Sequence, residues 1–272
     1  MNKAIMDILI DKVKNEQFEM NFLRFGKGKK NLVIIPGLSV QSVMGSADQI
    51  AEAYAIMTDE FTVFVFDRRL DLPQVYTVKD MAEDTVKAFQ TVGINDVYLF
   101  GASQGGMIAL EIAIRHPELV KKIALGSTTP ELGDNLNPVT NKWICLAKKK
   151  DKKGLYLDFG EKIYPPDVFE QCKDALITAA NTVTDHELER FVALVEGMRG
   201  FNVTNQLKNI QCPVLAIGAY DDKVVDLDMT MKIAEQLNAR EDFELFMYKG
   251  FGHAAFDTAP DYRERLYKFF LK

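Results

Sequence analysis

The run Val97-Tyr98-Leu99-Phe100 passes directly into Gly101-Ala102-Ser103-Gln104-Gly105 and then into Met107 to His116, where apolar residues recur with helical spacing. Strand, sharp turn and helix with no linker between them form the tightest constraint in this chain. A serine at the apex of such a turn is forced into a strained backbone conformation that only small neighbours permit, and its hydroxyl is lifted clear of the sheet edge. Gly101 and Gly105 supply the room. The spacing Gly-x-Ser-x-Gly alone also occurs in flexible loops. The strand before it and the helix after it are what make Ser103 a candidate nucleophile.

A hydroxyl attacks poorly at neutral pH unless a base stands within hydrogen-bond reach and a third group orients that base. The chain has three histidines. His116, in Arg115-His116-Pro117, falls where proline must end the helix, and reads as a cation at a helix C-terminus. His186 follows the N-cap pair Thr184-Asp185 and reads as a first-turn surface residue. His253 lies in the small-residue loop Gly250-Phe251-Gly252-His253-Ala254-Ala255, just after the strand-like Phe243 to Tyr248. Loops at the C-terminal ends of strands are where an α/β sheet presents its chemistry, so His253 is the candidate base.

In the chain order Ser, Asp, His, the orienting acid falls between residues 103 and 253. The buried-strand run Pro213 to Gly218 is followed by Asp221-Asp222-Lys223-Val224-Val225-Asp226. Two adjacent carboxylates cannot both point at one imidazole. Asp222 is favoured, because the frame acid, any residue, aliphatic, aliphatic tucks the loop against the core; Asp221 is the alternative, and a solvated turn accounts for the same composition.

Apolar runs without alternation recur at Leu32 to Ile35, Val63 to Phe66, Val97 to Phe100, Ile123 to Leu125 and Val214 to Ile217. Strands apolar on both faces suit a parallel sheet covered by helices. Helical patterns alternate with them near Ser46 to Met57, Val78 to Val92, Gln104 to Arg115 and Asp226 to Leu237, and Asp261 to Phe270 closes the chain. The expected fold class is α/β, a mostly parallel central sheet flanked by helices. Gln17 to Phe25 reads as a half-buried strand, and Gly26-Lys27-Gly28-Lys29-Lys30 as a hairpin turn into the run from Leu32. The alternation breaks from residue 128 to 211, where helical patterns appear near Pro138 to Lys149, Pro166 to Ala180 and His186 to Met198. That divides the chain into a core (1–127 and 212–272) and an inserted helical segment (128–211). Of the apolar residues there, Trp143, Leu146, Phe159, Tyr164, Phe169, Phe191 and Met198, most are expected to pack within the insertion rather than face a ligand. Lys148 to Lys153 reads as a solvated loop.

With these elements in this order, the chain resembles the α/β-hydrolases of the cofactor-free serine type, from Asn31 to the C-terminus. The resemblance implies a helical cap at 128–211, and an oxyanion hole built from the backbone amides of Leu38, in Ile35-Pro36-Gly37-Leu38, and Gln104. Gly37, Leu38 and Trp143 are then candidate substrate contacts. Asp67-Arg68-Arg69 is similar to the family's Asp-x-Arg, but Leu70-Asp71-Leu72-Pro73 stands where a Gly-x-Gly-x-Ser run is common, which alters the pocket rim. The acid turn is one residue longer than the commonest spacing. Serine at the apex separates the chain from haloalkane dehalogenases and epoxide hydrolases, which carry aspartate there, and from dienelactone hydrolases, which carry cysteine.

At 272 residues and 47% hydrophobic content the chain is long enough for one large core. A net charge of -6 speaks against a nucleic-acid partner. No apolar stretch has the length of a membrane span, and Met1 to Asp11 mixes Lys3, Asp7 and Asp11 among its apolar residues, unlike a signal peptide, so a cytoplasmic location is expected. Cys145, Cys172 and Cys212 lack metal or disulfide spacing and are expected reduced and mostly buried. The expectation is a serine hydrolase for a small-to-medium, mainly apolar ester, thioester or lactone, with no metal or organic cofactor. Acyl transfer, carbon-carbon bond hydrolysis, perhydrolysis and non-catalytic ligand binding are the alternatives on the same fold.

Overall fold

The computed structural model describes residues 7–133 and 137–272; the Lys3 position weighed in the N-terminal reading lies outside them. Eight strands form one sheet: β1 (Leu9–Lys14), β2 (Glu19–Phe25), β3 (Lys30–Ile35), β4 (Phe61–Arg69), β5 (Val97–Ala102), β6 (Val120–Gly126), β7 (Val214–Ala219) and β8 (Phe243–Tyr248). Their order is β1-β2-β4-β3-β5-β6-β7-β8. β1 and β2 pair antiparallel, as do β2 and β4, and every other pairing is parallel. The helices are α1 (Ala47–Ala53), α2 (Val78–Thr91), α3 (Gln104–Arg115), α4 (Pro138–Lys148), α5 (Lys152–Ile163), α6 (Pro166–Thr182), α7 (Asp185–Glu196), α8 (Leu227–Leu237), α9 (Ala255–Thr258) and α10 (Tyr262–Leu271).

The two sheet faces carry separate cores. Val33, Ile35, Leu99 and Ile123 point to one, which α2, α3 and α8 cover; Leu32, Ile34, Phe100 and Ala124 point to the other, under α1 and α10. This is the period-two consequence of strands that are apolar at every position. Helix starts follow from local chemistry. Thr77 and Asp80 form a capping box for α2, Thr184 and Glu187 another for α7, and α4 opens with the Asn137 cap and Pro138 in its first turn. α3 stops where the sequence places Pro117.

Three local expectations fail for physical reasons. Residues 26–30 do not form a hairpin between β2 and β3. Lys27 donates its N–H to the Thr58 carbonyl at 3.0 Å instead, and β2 pairs with β1 and β4. β3 is apolar on both faces and takes a central position; β2, which carries Glu19, Asn21 and Arg24 outside the core, sits further out. β1 buries only Val13 and carries Asp11, Lys12 and Lys14, so its sequence holds no periodic signal, as suits a charged edge strand. In the insertion the Lys148 to Lys153 run is only partly loop, because α5 begins at Lys152. Its two glycines hide it: a Cβ on Gly160 would come within 2.5 Å of Leu176 on α6, so the missing side chain is what lets α5 and α6 pack. Only Cys212 among the cysteines is buried; Cys145 lies on the exposed side of α4, whose Trp143, Ile144 and Ala147 face inward. Among the described residues no helix is long and apolar enough to cross a membrane.

The decisive packing lies where α3 begins. A Cβ built on Gly105 would stand 2.0 Å from the Ile35 carbonyl oxygen and 2.5 Å from that of Pro36. Both obstacles are backbone and cannot swing aside. Gly105→Ala is therefore expected to lower unfolding stability by about 3 kcal/mol through overpacking, whereas Gly45→Ala, with nothing within 4 Å of the new methyl group, should change it by less than about 0.5 kcal/mol. Urea denaturation midpoints of the two variants check this contrast.

Candidate active site

Four parallel strands deliver the relevant side chains to one rim, the carboxyl end of the sheet. β3 runs into Pro36-Gly37-Leu38, β5 into Ser103, β7 into the Asp221-Asp222 turn, and β8 into the loop that carries His253. Ser103 has φ 53° and ψ −122°, a conformation costing about 1–3 kcal/mol for a residue with a side chain. Its surroundings hold it there. Its N–H donates to the Gly126 carbonyl at 2.8 Å, and its own carbonyl accepts from the Thr128 hydroxyl at 2.7 Å and from Gly106 N–H at 2.9 Å.

The hydroxyl of Ser103 lies 3.0 Å from His253 Nε2, and His253 Nδ1 lies 2.8 Å from Asp222 Oδ2. A carboxylate accepts and cannot donate, so Nδ1 carries the ring proton and Nε2 is left as an acceptor for the Ser103 O–H. Both His253 and Asp222 are buried, with side chains 5% and 1% exposed, and water does not compete for these bonds. The other oxygen of Asp222 accepts from Val224 N–H at 2.8 Å and Val225 N–H at 2.9 Å. Those are the two aliphatic positions of the frame read in the sequence.

Asp221 points the other way. Its two oxygens accept from Gly250 N–H at 2.9 Å and Gly252 N–H at 3.1 Å, so it braces the loop on which His253 stands. The structure thus divides the adjacent acids: one touches the imidazole, the other the backbone behind it. The loop is tied on its far side too, where Ala254 N–H donates to the Ile163 carbonyl at the end of α5 at 2.8 Å. His116 sits at the C-terminus of α3 with Nε2 3.3 Å from the Glu83 carboxylate, and His186 is exposed on the first turn of α7.

Ser103 and His253 open into a cavity of about 550 Å³ that Gly37, Leu38 and Trp143 also line. A Cβ on Gly37 would lie 3.2 Å from Ser103 Cβ and 3.9 Å from Oγ, so this glycine stands against the serine itself. The cavity touches both cores. Met107, Trp143 and Met198 line it from one face of the sheet; Tyr54, Val65 and Phe100 line it from the other. Of the seven apolar residues named in the insertion, Trp143, Phe159, Tyr164 and Met198 reach the cavity, more than expected, while Leu146, Phe169 and Phe191 do not line it. Trp143 is fixed by its Nε1–H, which donates to the buried Asp158 at 3.0 Å, and by Phe159 packed 4.5 Å away. At the far end Arg263 and Asp257 meet, Arg263 donating to the Asp257 carbonyl at 2.9 Å.

Below the rim lies a buried polar network that sequence reading passed over. Arg68, 3% exposed, donates through Nη2 to the Pro36 carbonyl at 2.8 Å and to Gln104 Oε1 at 3.1 Å. Gln104 Nε2 donates in turn to the Leu194 carbonyl of α7 at 2.8 Å, and Arg190 of the same helix pairs with Asp67 at 3.4 Å. Burial pushes the Arg68 guanidinium down to about 10. An unbroken apolar run followed by one acid and two arginines carries no signal that the first arginine would turn inward. Among the described residues, no cluster of three His, Cys, Asp or Glu side chains is arranged to hold a metal.

Comparison with known proteins agrees with this architecture. The chain is 27% identical over 252 residues to "Putative carbamate hydrolase RutD" of Pseudomonas savastanoi pv. phaseolicola, covering 84% of this chain and 88% of the relative. Its fold matches the crystal structure of MGS-M2, an α/β hydrolase from a Medee basin deep-sea metagenome, with a TM-score of 0.83 at 20% identity over 96% of this chain and 98% of that one. The enol-lactonase of Burkholderia xenovorans LB400 superposes with a TM-score of 0.81 at 15% identity, over 96% and 100%. The sequence model of the family described as serine aminopeptidase, S33, matches residues 67–258, more than half of the chain and the whole stretch from the end of β4 through Ser103 and His253, and the chain therefore belongs to that hydrolase family and has the α/β-hydrolase fold.

Proposed function

We propose that this hydrolase cleaves a small-to-medium, mainly apolar carboxylic ester, thioester or lactone through an acyl-enzyme on Ser103. The observation that carries the reading is the unbroken chain of hydrogen bonds from Ser103 Oγ through both nitrogens of His253 to Asp222, opening into a largely apolar cavity. As Oγ attacks the carbonyl carbon, His253 Nε2 takes its proton, and Asp222 stabilises the imidazolium that forms. His253 then gives that proton to the departing alcohol. Water next takes the alcohol's place and attacks the acyl carbon as Nε2 takes one of its protons; Nε2 then returns that proton to Ser103 Oγ as the carbon–Oγ bond breaks and the acid leaves.

Negative charge appears on the carbonyl oxygen only in the tetrahedral intermediates. The backbone N–H groups of Leu38 and Gln104 are the donors for it, each worth about 3 kcal/mol of barrier. Gly37 leaves the space beside the serine open for the substrate, because a Cβ there would press on Ser103 Cβ at 3.2 Å. Helices α4 to α7 serve as the cap, with Trp143 and Met198 forming the apolar roof above the serine. The names of the relatives widen the panel to be assayed: a carbamate and an enol lactone both offer a carbonyl carbon to the same serine.

Ser103→Ala is expected to abolish both turnover of p-nitrophenyl butyrate and labelling by a fluorophosphonate, with an unchanged melting temperature; residual turnover at the wild-type rate defeats the assignment. For the acid, Asp222→Asn should reduce kcat by about 10⁴-fold, because an amide reverses the imidazole tautomer. Asp221→Asn should cost less, since one oxygen still accepts from the glycine loop. Comparing kcat for the two variants on the same ester tests the division of labour.

A further inference from the structure

We infer that Arg68 is a positioning residue for the proposed reaction, holding the two turns that carry the Leu38 and Gln104 amides at the separation one shared oxyanion requires. This rests on the serine-hydrolase reading above. β4, β3 and β5 are adjacent in the sheet, in that order, and Arg68 stands one residue before the end of β4. Its side chain reaches across the end of β3 to the end of β5. The two hydrogens of one nitrogen, Nη2, go to the Pro36 carbonyl and the Gln104 side chain. Pro36 lies two residues before Leu38, and Gln104 carries the second amide itself. A single planar group therefore sets the distance between the two donor turns, and the Gln104 bond to Leu194 carries the same constraint into α7.

Stability alone does not account for such a residue. A guanidinium buried to this extent is desolvated, its Nε has no partner, and so has one oxygen of the neighbouring Asp67. Apolar residues of similar volume replace buried charges with little or no loss of stability in many proteins. Fixing donors about an oxyanion is a different requirement, because an ångström of misplacement in a preorganised site costs up to about 100-fold in rate. The position of Arg68 beneath both donor turns matches that requirement.

The test compares Arg68→Met and Arg68→Lys with the full-length wild-type chain. In Arg68→Met, kcat for p-nitrophenyl butyrate and the rate of fluorophosphonate labelling are expected to fall about 10- to 100-fold. KM should stay within about threefold, since ground-state binding does not use the oxyanion donors. Arg68→Lys, which keeps the charge on a shorter reach, should recover part of the loss. Hydrogen exchange followed by mass spectrometry should show faster exchange in segments 36–41 and 103–107 of Arg68→Met. A kcat within about threefold of wild type, assayed well below the melting temperature, overturns the proposal whatever happens to stability. If the wild-type chain itself fails to react with ester and probe, the hydrolase reading falls. Exchange then decides on Arg68 alone, and unchanged protection of both segments in Arg68→Met overturns the clamp.

Discussion

The contact between the first turn of α3 and the carbonyl ends of β3 sets the remaining geometry of the rim. With Ile35 and Pro36 carbonyl oxygens standing where a Cβ of residue 105 would be, the helix comes down onto the sheet at backbone distance. The chain then has no length in which to turn gradually from β5 into α3. The whole reversal falls on Ser103, whose φ of 53° is the result. Strain of about 1–3 kcal/mol at one residue is small beside the burial of α3, whose residues from Gln104 to Ile114 are all buried. The helix cannot slide outward to relieve the serine without exposing that face.

The opposite side of the site is built by a different device. Ser103 is held by the packing of α3 together with hydrogen bonds to Gly126 and Thr128, but His253 stands on a loop and depends on hydrogen bonds. Asp221 takes two of its N–H groups from below and the end of α5 takes a third bond from above. The imidazole is then oriented by Asp222, whose own second oxygen is occupied by the Val224 and Val225 amides. Every oxygen of the Asp221-Asp222 pair has a named partner. Two adjacent carboxylates are tolerated here because their charges are directed to different backbone donors and, in one case, to the imidazole N–H.

The central elements were legible in the sequence because burial on both faces leaves a plain signature. β3 to β7 appear as unbroken apolar runs, and α2, α3, α8 and α10 as periodic segments ending at caps or at proline, so the α/β class could be read directly. The hairpin after β2 misled because its glycines and lysines suit a turn, while partner choice in a sheet depends on how both faces are covered. β1 and α5 left no mark, the first being a charged edge and the second carrying glycine where a neighbouring helix presses in. At the site, the strand-turn-helix context singled out Ser103, and position after a strand singled out His253 and the Asp221-Asp222 pair. The frame Asp222-Lys223-Val224-Val225 favoured Asp222 over Asp221, and the direction in which that turn closes, which the frame only implies, is what puts Asp222 on the imidazole. The segment Asp67-Arg68-Arg69 stood out, but the buried role of Arg68 did not, because an arginine at a strand end reads as solvated until the neighbouring strand ends supply its acceptors.

Helices α5 and α7 are bonded to the strand ends at the candidate site as well as beside it. Arg190 and Leu194 of α7 meet Asp67 and Gln104, and Ile163 at the end of α5 meets Ala254, so the helices bond to residues adjoining the serine on one side and the histidine on the other. A roof attached only at its two chain connections could shift without disturbing the rim. Helices bonded through Gln104 and Ala254 cannot, because these residues flank the hydrogen-bonded Ser103 and His253. Displacement of α5 or α7 must therefore either break these bonds or pull on the turns below. The cavity walls and the spacing of the rim are mechanically joined, and these bonds help fix the apolar face presented by Trp143 and Met198 relative to Ser103.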